Sequence, residues 1–312
     1  MRVCESEGQM IPRILIFVLA ALLLTSCAGA PAVTGPAPMK GGDEQITNGN
    51  AAYGKGCYAA AIDFFYRAYE MFSVSDQPLG VAMSLNNMGN AYRALGKPED
   101  ALALFEEAQL LYSESSDQAG LRQVLSNKAA ALMDLGMLDD AEKTLDQAER
   151  TSPPNQPVFL PAFVNRGVLL TRRGDLQAAR KVLESAIAKA PESASARYAM
   201  GSLLMQSGEL REAEKYFQAA LKADQAAGFY AGLADDLQKL GDVHLLLNDT
   251  AAALNYWKRS VRIYALLGLT RETDIVMDKL RTEAAKSGAK LDVVEAFVQR
   301  YKKDKSPGML CD

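Results

Sequence analysis

Residues 84–107 read SLNNMGNAYRALGKPEDALALFEE, and this stretch decides the fold. Apolar residues recur every three or four positions on both sides of Gly96-Lys97-Pro98. That spacing predicts two amphipathic helices joined by a tight turn, with Pro98 opening the second helix. Gly89 and Ala101 sit where the two helices would cross, Phe105 follows Ala101 by four positions, and Ala108 follows by three more.

The same pattern recurs along the chain. A Gly is followed by Ala after five residues, a large apolar residue after four more, and a small one after three more. It appears as Gly56-Ala61-Phe65-Ala68, Gly96-Ala101-Phe105-Ala108, Gly136-Ala141-Leu145-Ala148, Gly174-Ala179-Leu183-Ala186 and Gly208-Ala213-Phe217-Ala220. A sixth copy, Asn248-Ala253-Trp257-Ser260, places Asn at the turn, the residue that best tolerates positive φ after Gly. Gly49, Gly89, Ala129, Gly167, Gly201 and Gly241 each precede the copy's key Ala by twelve positions. Small residues at these positions let paired helices approach closely. The Phe, Leu or Trp is expected to fill the hole between one pair and the next. Each pair leaves an apolar face that only stacking can bury.

The key Ala residues are 40, 40, 38, 34 and 40 positions apart. With the motif above, this resembles the tetratricopeptide repeat (TPR) family, whose unit is a helix-turn-helix of about 34 residues. The longer units are similar to those of kinesin-light-chain-type repeats. The resemblance implies an all-α superhelical solenoid of about six repeats over residues 43–265, closed by C-terminal capping helices within 266–303. Residues 271–286 and 291–303 both have amphipathic periodicity and supply those caps. The loop at 151–161 (TSPPNQPVFLP), with four Pro, is expected to break or hinge the stack, and residues 304–312 to fray.

The N-terminus has another character. Residues 14–24 (ILIFVLAALLL) form an apolar run of eleven, too short to span a bilayer and right for a signal-peptide core. The following Leu24-Thr25-Ser26-Cys27 resembles the bacterial lipobox, which implies cleavage after residue 26 and diacylation of Cys27. Ala28 in place of Asp implies sorting to the outer membrane, facing the periplasm. Glu5 and Glu7 offset Arg2, and a start at Met10 gives a cleaner leader. Residues 27–42, rich in Ala, Pro and Gly, read as a lipidated Cys and a flexible tether.

Composition narrows the chemistry. Lys plus Arg is 34 and Asp plus Glu is 38, a net charge of −4, which argues against a general nucleic-acid binder. His244 is the single His, and the four Cys are Cys4, Cys27, Cys57 and Cys311. Neither a zinc site nor a His-dependent hydrolase is expected from this set, and no nucleotide, dinucleotide or nucleophile-elbow motif is present. No cofactor, metal or small-molecule substrate is expected. His244 and Trp257 fall at core positions of the sixth copy. Cys57 and Cys311 belong to opposite ends of an elongated array, so no intramolecular bridge is expected.

The resemblance also implies a concave groove lined by the first helix of each pair. One equivalent groove position is Asn87, Asn127 and Asn165 in copies two to four. An amide both donates and accepts, so such a ladder can hold a peptide backbone whatever its side chains; Asn is equally an ordinary surface residue. Asn86, Asn90 and Arg93 in copy two, Asp134 in copy three and Arg172 in copy four complete the candidate groove. The position where chaperone-binding relatives carry a clamp Lys holds Asn86, Ser126 and Val164, so an EEVD-like tail is not the implied ligand. Alanine at Asn87 and Asn127 is expected to weaken capture without lowering the melting temperature. The implied function is a lipid-anchored, non-catalytic scaffold binding a protein or extended peptide, for assembly of a secretin, pilus or outer-membrane complex. The alternative is an adaptor recruiting cell-wall hydrolases or proteases.

Overall fold

The computed structural model of the protein describes residues 41–151, 159–303 and Cys311. Among these residues there are fourteen helices and no strand. Six antiparallel pairs follow one another: α1 (Gly42–Lys55) with α2 (Tyr58–Val74), α3 (Pro78–Ala94) with α4 (Pro98–Glu114), and α5 (Gln118–Asp134) with α6 (Leu138–Arg150). The series continues with α7 (Leu160–Arg173) and α8 (Leu176–Lys189), α9 (Ala194–Gln206) and α10 (Leu210–Ala227), and α11 (Tyr230–Leu246) and α12 (Thr250–Leu266). Two more helices, α13 (Thr270–Ser287) and α14 (Asp292–Lys303), pack against α12 as caps. The lipobox, the tether to residue 40 and the tail at 304–310 lie outside the described residues.

The repeated residues sit where their sizes require. Ala61, Ala101, Ala141, Ala179, Ala213 and Ala253 are fully buried. The turn residues Gly56, Gly96, Gly136, Gly174 and Gly208 have φ between 71° and 90°, and Asn248 matches them at 63°. The large apolar residue differs from the sequence expectation: it packs within its own pair. A Cβ on Gly49 would stand 2.4 Å from Phe65, one on Gly89 2.5 Å from Phe105, and one on Gly241 2.4 Å from Trp257. The missing side chain on the first helix is the hole that the ring on the second helix fills, and each such buried ring contributes about 1.5–3 kcal/mol. Junctions between the early pairs use a second version of this packing, with Phe72 against Gly80 and Tyr112 against Gly120.

The Pro-rich loop does not divide the core. Residues 152–158 lie outside the described residues, but one apolar cluster joins Ala129 and Met133 of α5, Leu145 of α6, and Ala162 and Leu169 of α7. His244 is half-buried, stacked on Tyr256 at 5.1 Å and 3.3 Å from Glu214. Trp257 is in the core and donates its indole N–H to Asp242 at 3.0 Å.

The largest correction concerns the ends. Cys57 and Cys311 form a disulfide, with Cα atoms 5.4 Å apart. The expectation of two distant cysteines assumed an open rod, and it also left Cys311 in a frayed tail. The small rotation between successive pairs instead accumulates until the first and sixth meet. Gly56, in the turn of the first pair, lies so close to α11 that a Cβ there would be 2.7 Å from Ala231. A single apolar cluster contains Cys57 and Tyr58 of the first pair, Ala91 of the second, Ala231, Trp257 and Val261 of the sixth, and Leu269. Arg271, at the start of α13, reaches the turn at Gly96. The solenoid is closed into a ring.

Candidate functional site

Closure turns the groove into a cavity of about 730 Å³ walled mainly by the first helices of the pairs. Of the eight groove residues expected from sequence, Arg93, Asp134, Asn165 and Arg172 line it. Asp134 bridges the two arginines, at 2.9 Å from Arg93 Nη1 and 3.0 Å from Arg172 Nη2. Arg172 also donates to the Met133 carbonyl. Burial opposes the charge on Arg93, but Asp134, with Tyr53 and Tyr58, outweighs it, so the guanidinium is held above its ordinary pKa. The three residues come from pairs two, three and four and form one basic wall.

The asparagines take a different role from the one their spacing suggested. Asn127 donates to Asn86 Oδ1 at 2.9 Å, Asn86 donates to Asn87 Oδ1 at 3.3 Å, and Asn87 donates to Asn50 Oδ1 at 3.4 Å. Asn165 donates to the Ser126 carbonyl at 2.9 Å and to its hydroxyl at 3.0 Å. The ladder is a lateral seam between successive first helices. Asn86 is buried, and Asn87, Asn90 and Asn127 are half-buried outside the cavity lining. The seam stitches pairs one to four together, so alanine at Asn87 and Asn127 would act on stability, contrary to the expectation above.

The opposite wall was missed by the sequence reading. It comes from α10, α11 and α13 as Asp224, Asp235 and Glu272, with Tyr53, Tyr58, Tyr198 and Tyr264 between the two walls. Burial pushes the Asp235 carboxyl up to about 6, against the pull of the Tyr264 hydroxyl that donates to it. Burial likewise raises Asp224 to about 6, while a hydrogen bond with Asp236 pulls it back down. Asp236, fully buried behind Asp224, is raised to about 9 by burial and by the charges of Asp224 and Asp235. At neutral pH Asp236 is therefore protonated and donates to Asp224. A register comparison could have found this wall. Asp224 stands at the position of Phe72 and Tyr112, and Asp236 at that of Ser84 and Val124.

A second cavity of about 650 Å³ shares Arg93, Asp134 and Arg172 and adds Glu99 and Arg271. Among the described residues, no cluster of three or more His, Cys, Asp or Glu could hold a metal ion. Also among them, no helix is long and apolar enough to cross a membrane. The arrangement can hold an extended, charged ligand between two walls of opposite sign, with aromatic sides.

The repeats are recognised independently. One sequence model of the tetratricopeptide repeat matches residues 45–114 and 192–265, and a second matches 86–157 and 126–194. Together they span most of the chain, which belongs to the tetratricopeptide repeat family. Such proteins are generally non-catalytic scaffolds for protein–protein interaction. No curated protein matches the chain. Among solved structures, the Rap conjugation gene regulator of plasmid pLS20, in complex with a peptide, is similar at TM-score 0.57 and 17% identity over 95% of this chain and 85% of that one. A Rap protein complexed with competence and sporulation factor is similar at TM-score 0.58 and 14% identity, over 80% and 76%. A thermophilic TPR protein of Thermus thermophilus reaches TM-score 0.50 at 20% identity, over 63% and 98%. At these identities the likeness is one of fold.

Proposed function

We propose that this protein is a lipid-anchored scaffold that takes an extended polypeptide segment into its ring. The observation that carries the reading is the cavity itself, built from the first helices of successive repeats and furnished with two charged walls and four tyrosines. Its volume lies within the range of about 300–1,000 Å³ typical of ligand sites, enough for a segment of a few residues and far too small for a folded domain. The peptide-bound Rap structure supports the reading by showing that a similar array accommodates a peptide.

The lipobox-like Leu24-Thr25-Ser26-Cys27 supports an anchor at Cys27. On this reading the ring stands in the periplasm, tethered to the outer membrane, and serves the assembly of an envelope complex such as a secretin, a pilus or outer-membrane machinery. A Cys57–Cys311 disulfide fits an oxidising compartment.

Partner capture from detergent-solubilised membranes tests both parts. Cys27→Ser should release the protein into the soluble fraction with capture intact. Ser195→Trp should block the cavity, since Ser195 lines it and is exposed; capture of the partner should fall while the protein stays folded. Equal capture by the Ser195→Trp protein would reject the cavity as the binding site. Recovery of pilus or secretin components would favour assembly, and recovery of hydrolases would favour the adaptor role.

A further inference from the structure

The packing of the early junctions is altered between the fifth and sixth pairs. Phe72 covers Gly80 and Tyr112 covers Gly120. At the junction between the fifth and sixth pairs the glycine is kept as Gly232, but the side chain over it is Asp224, whose Oδ2 would lie 2.0 Å from a Cβ there. Four positions after these glycines stand Ser84, Val124 and, in the sixth pair, Asp236. Ser84 and Val124 are 0% exposed and Asp236 is 1% exposed. Two carboxyls thus occupy core positions that elsewhere hold aromatic, aliphatic or hydroxyl side chains. No N–H or ordinary hydroxyl reaches either Asp236 oxygen, and its polar neighbour is Asp224. Such burial opposes folding, so its retention points to a use.

Position in the ring gives it one. Asp is smaller than the Phe or Tyr it replaces, so the exchange opens space at the wall. Asp224, Asp235 and Glu272 face the cavity there. Tyr198 and Tyr264 line the same space, and ring faces attract cations. Across the cavity, Arg93 and Arg172 share a single carboxylate, that of Asp134, which leaves that wall net positive.

We infer that Asp224, Asp235 and Glu272 form a pocket for an ammonium or guanidinium group of the bound segment, while the Arg93–Asp134–Arg172 wall receives a carboxylate. The bound segment is thus a short bipolar peptide, cationic at one end and anionic at the other. This rests on the peptide reading proposed above.

Affinity selection with the full chain carrying Cys27→Ser, released from its anchor, tests it. The probe is a pool of random tetrapeptides with free termini, and a second pool is identical but N-acetylated. Retention should favour positive charge about tenfold, either as Lys and Arg over the input or as a free over an acetylated N-terminus. Enrichment of Lys and Arg in the acetylated pool assigns the pocket to a side chain; loss of retention on acetylation, with no Lys or Arg preference in the free pool, assigns it to the α-amine. Asp235→Asn keeps an acceptor for Tyr264, and Glu272→Gln lies on half-buried chain, so both should fold; each should reduce the enrichment severalfold. Arg172→Gln should keep the preference for cations and lose the preference for a free C-terminal carboxylate over an amide. Equal retention of both pools with no preference for Lys or Arg, or a charge preference unchanged in both acidic-wall variants, would overturn the pocket and leave the scaffold reading standing. No retention from either pool would overturn both.

Discussion

Cys57 and Cys311 are separated by 254 positions in sequence and by 5.4 Å between their Cα atoms. The bond joins the turn of the first helix pair to a cysteine beyond the capping helices and fastens the ring in which the proposed binding cavity lies. Closure matters for the proposed binding because the two charged walls come from different parts of the array. The basic wall belongs to pairs two to four. The acidic wall belongs to pairs five and six and to α13.

Removing this bond should loosen the ring more than the repeats. The double variant Cys57→Ser, Cys311→Ser should lose about 2–4 kcal/mol of stability, as expected when a long loop is released. Amide hydrogen exchange should accelerate in α1 and α11, which meet at the closure, and change little in α5 to α8. Uniform acceleration along the chain would contradict a localised closure.

The asparagine seam gives a second expectation. Asn127→Ala deletes the donor to Asn86 Oδ1, and Asn86 is 5% exposed. An unsatisfied buried acceptor costs about 1–3 kcal/mol, so thermal melting should fall measurably. An unchanged melting temperature would show that the seam contributes nothing and would return these amides to the pool of free groove groups.

The packing within each pair is tested at Gly89. A Cβ there would stand 2.5 Å from Phe105, a fully buried ring. Gly89→Ala should destabilise by about 1–3 kcal/mol through overpacking, even though Ala favours helix over Gly. Chemical denaturation should show the loss, and Gly89→Ala combined with Phe105→Leu should recover part of it. The third copy already uses this solution, with Ala129 facing Leu145.

Stability should also depend on pH through Asp236. Its carboxyl is raised from an ordinary value near 3.8 to about 9 in the folded protein. The folded state therefore holds a proton that the unfolded state releases, and stability must fall as pH rises from about 4 through 9. Melting should occur several degrees higher at pH 5 than at pH 8. Asp236→Asn, which stays neutral and can still donate to Asp224, should flatten that slope and raise the melting temperature at pH 8. A slope unchanged in the variant would remove Asp236 as its cause.

Much of the fold was legible in the repeated residues. Gly56 through Asn248 mark all six turns, because positive φ restricts which residues can stand there, and the buried Ala series follows from close helix approach. The closure was not legible. It depends on the small rotation between neighbouring pairs accumulating along the array, and no local residue pattern encodes that sum. Arg93, Asp134 and Arg172 were found because their positions recur with the repeat. Asp224 and Asp236 were missed because they matter by departing from it, at positions where other copies carry Phe72, Tyr112, Ser84 and Val124. The asparagines were found as a ladder, but spacing alone did not tell lateral bonding from ligand bonding.

The central claim is that a polypeptide occupies the ring. A photo-crosslinking amino acid placed at Ser195, which is exposed and lines the cavity, tests it most directly in intact cells. The control carries the same group at Tyr66, a side chain on α2 that is 53% exposed and outside the cavity lining. The account predicts a discrete polypeptide adduct from position 195, absent from position 66 and lost when Arg172→Gln and Asp235→Asn are combined. No adduct from position 195, or the same adduct from both positions, would contradict it.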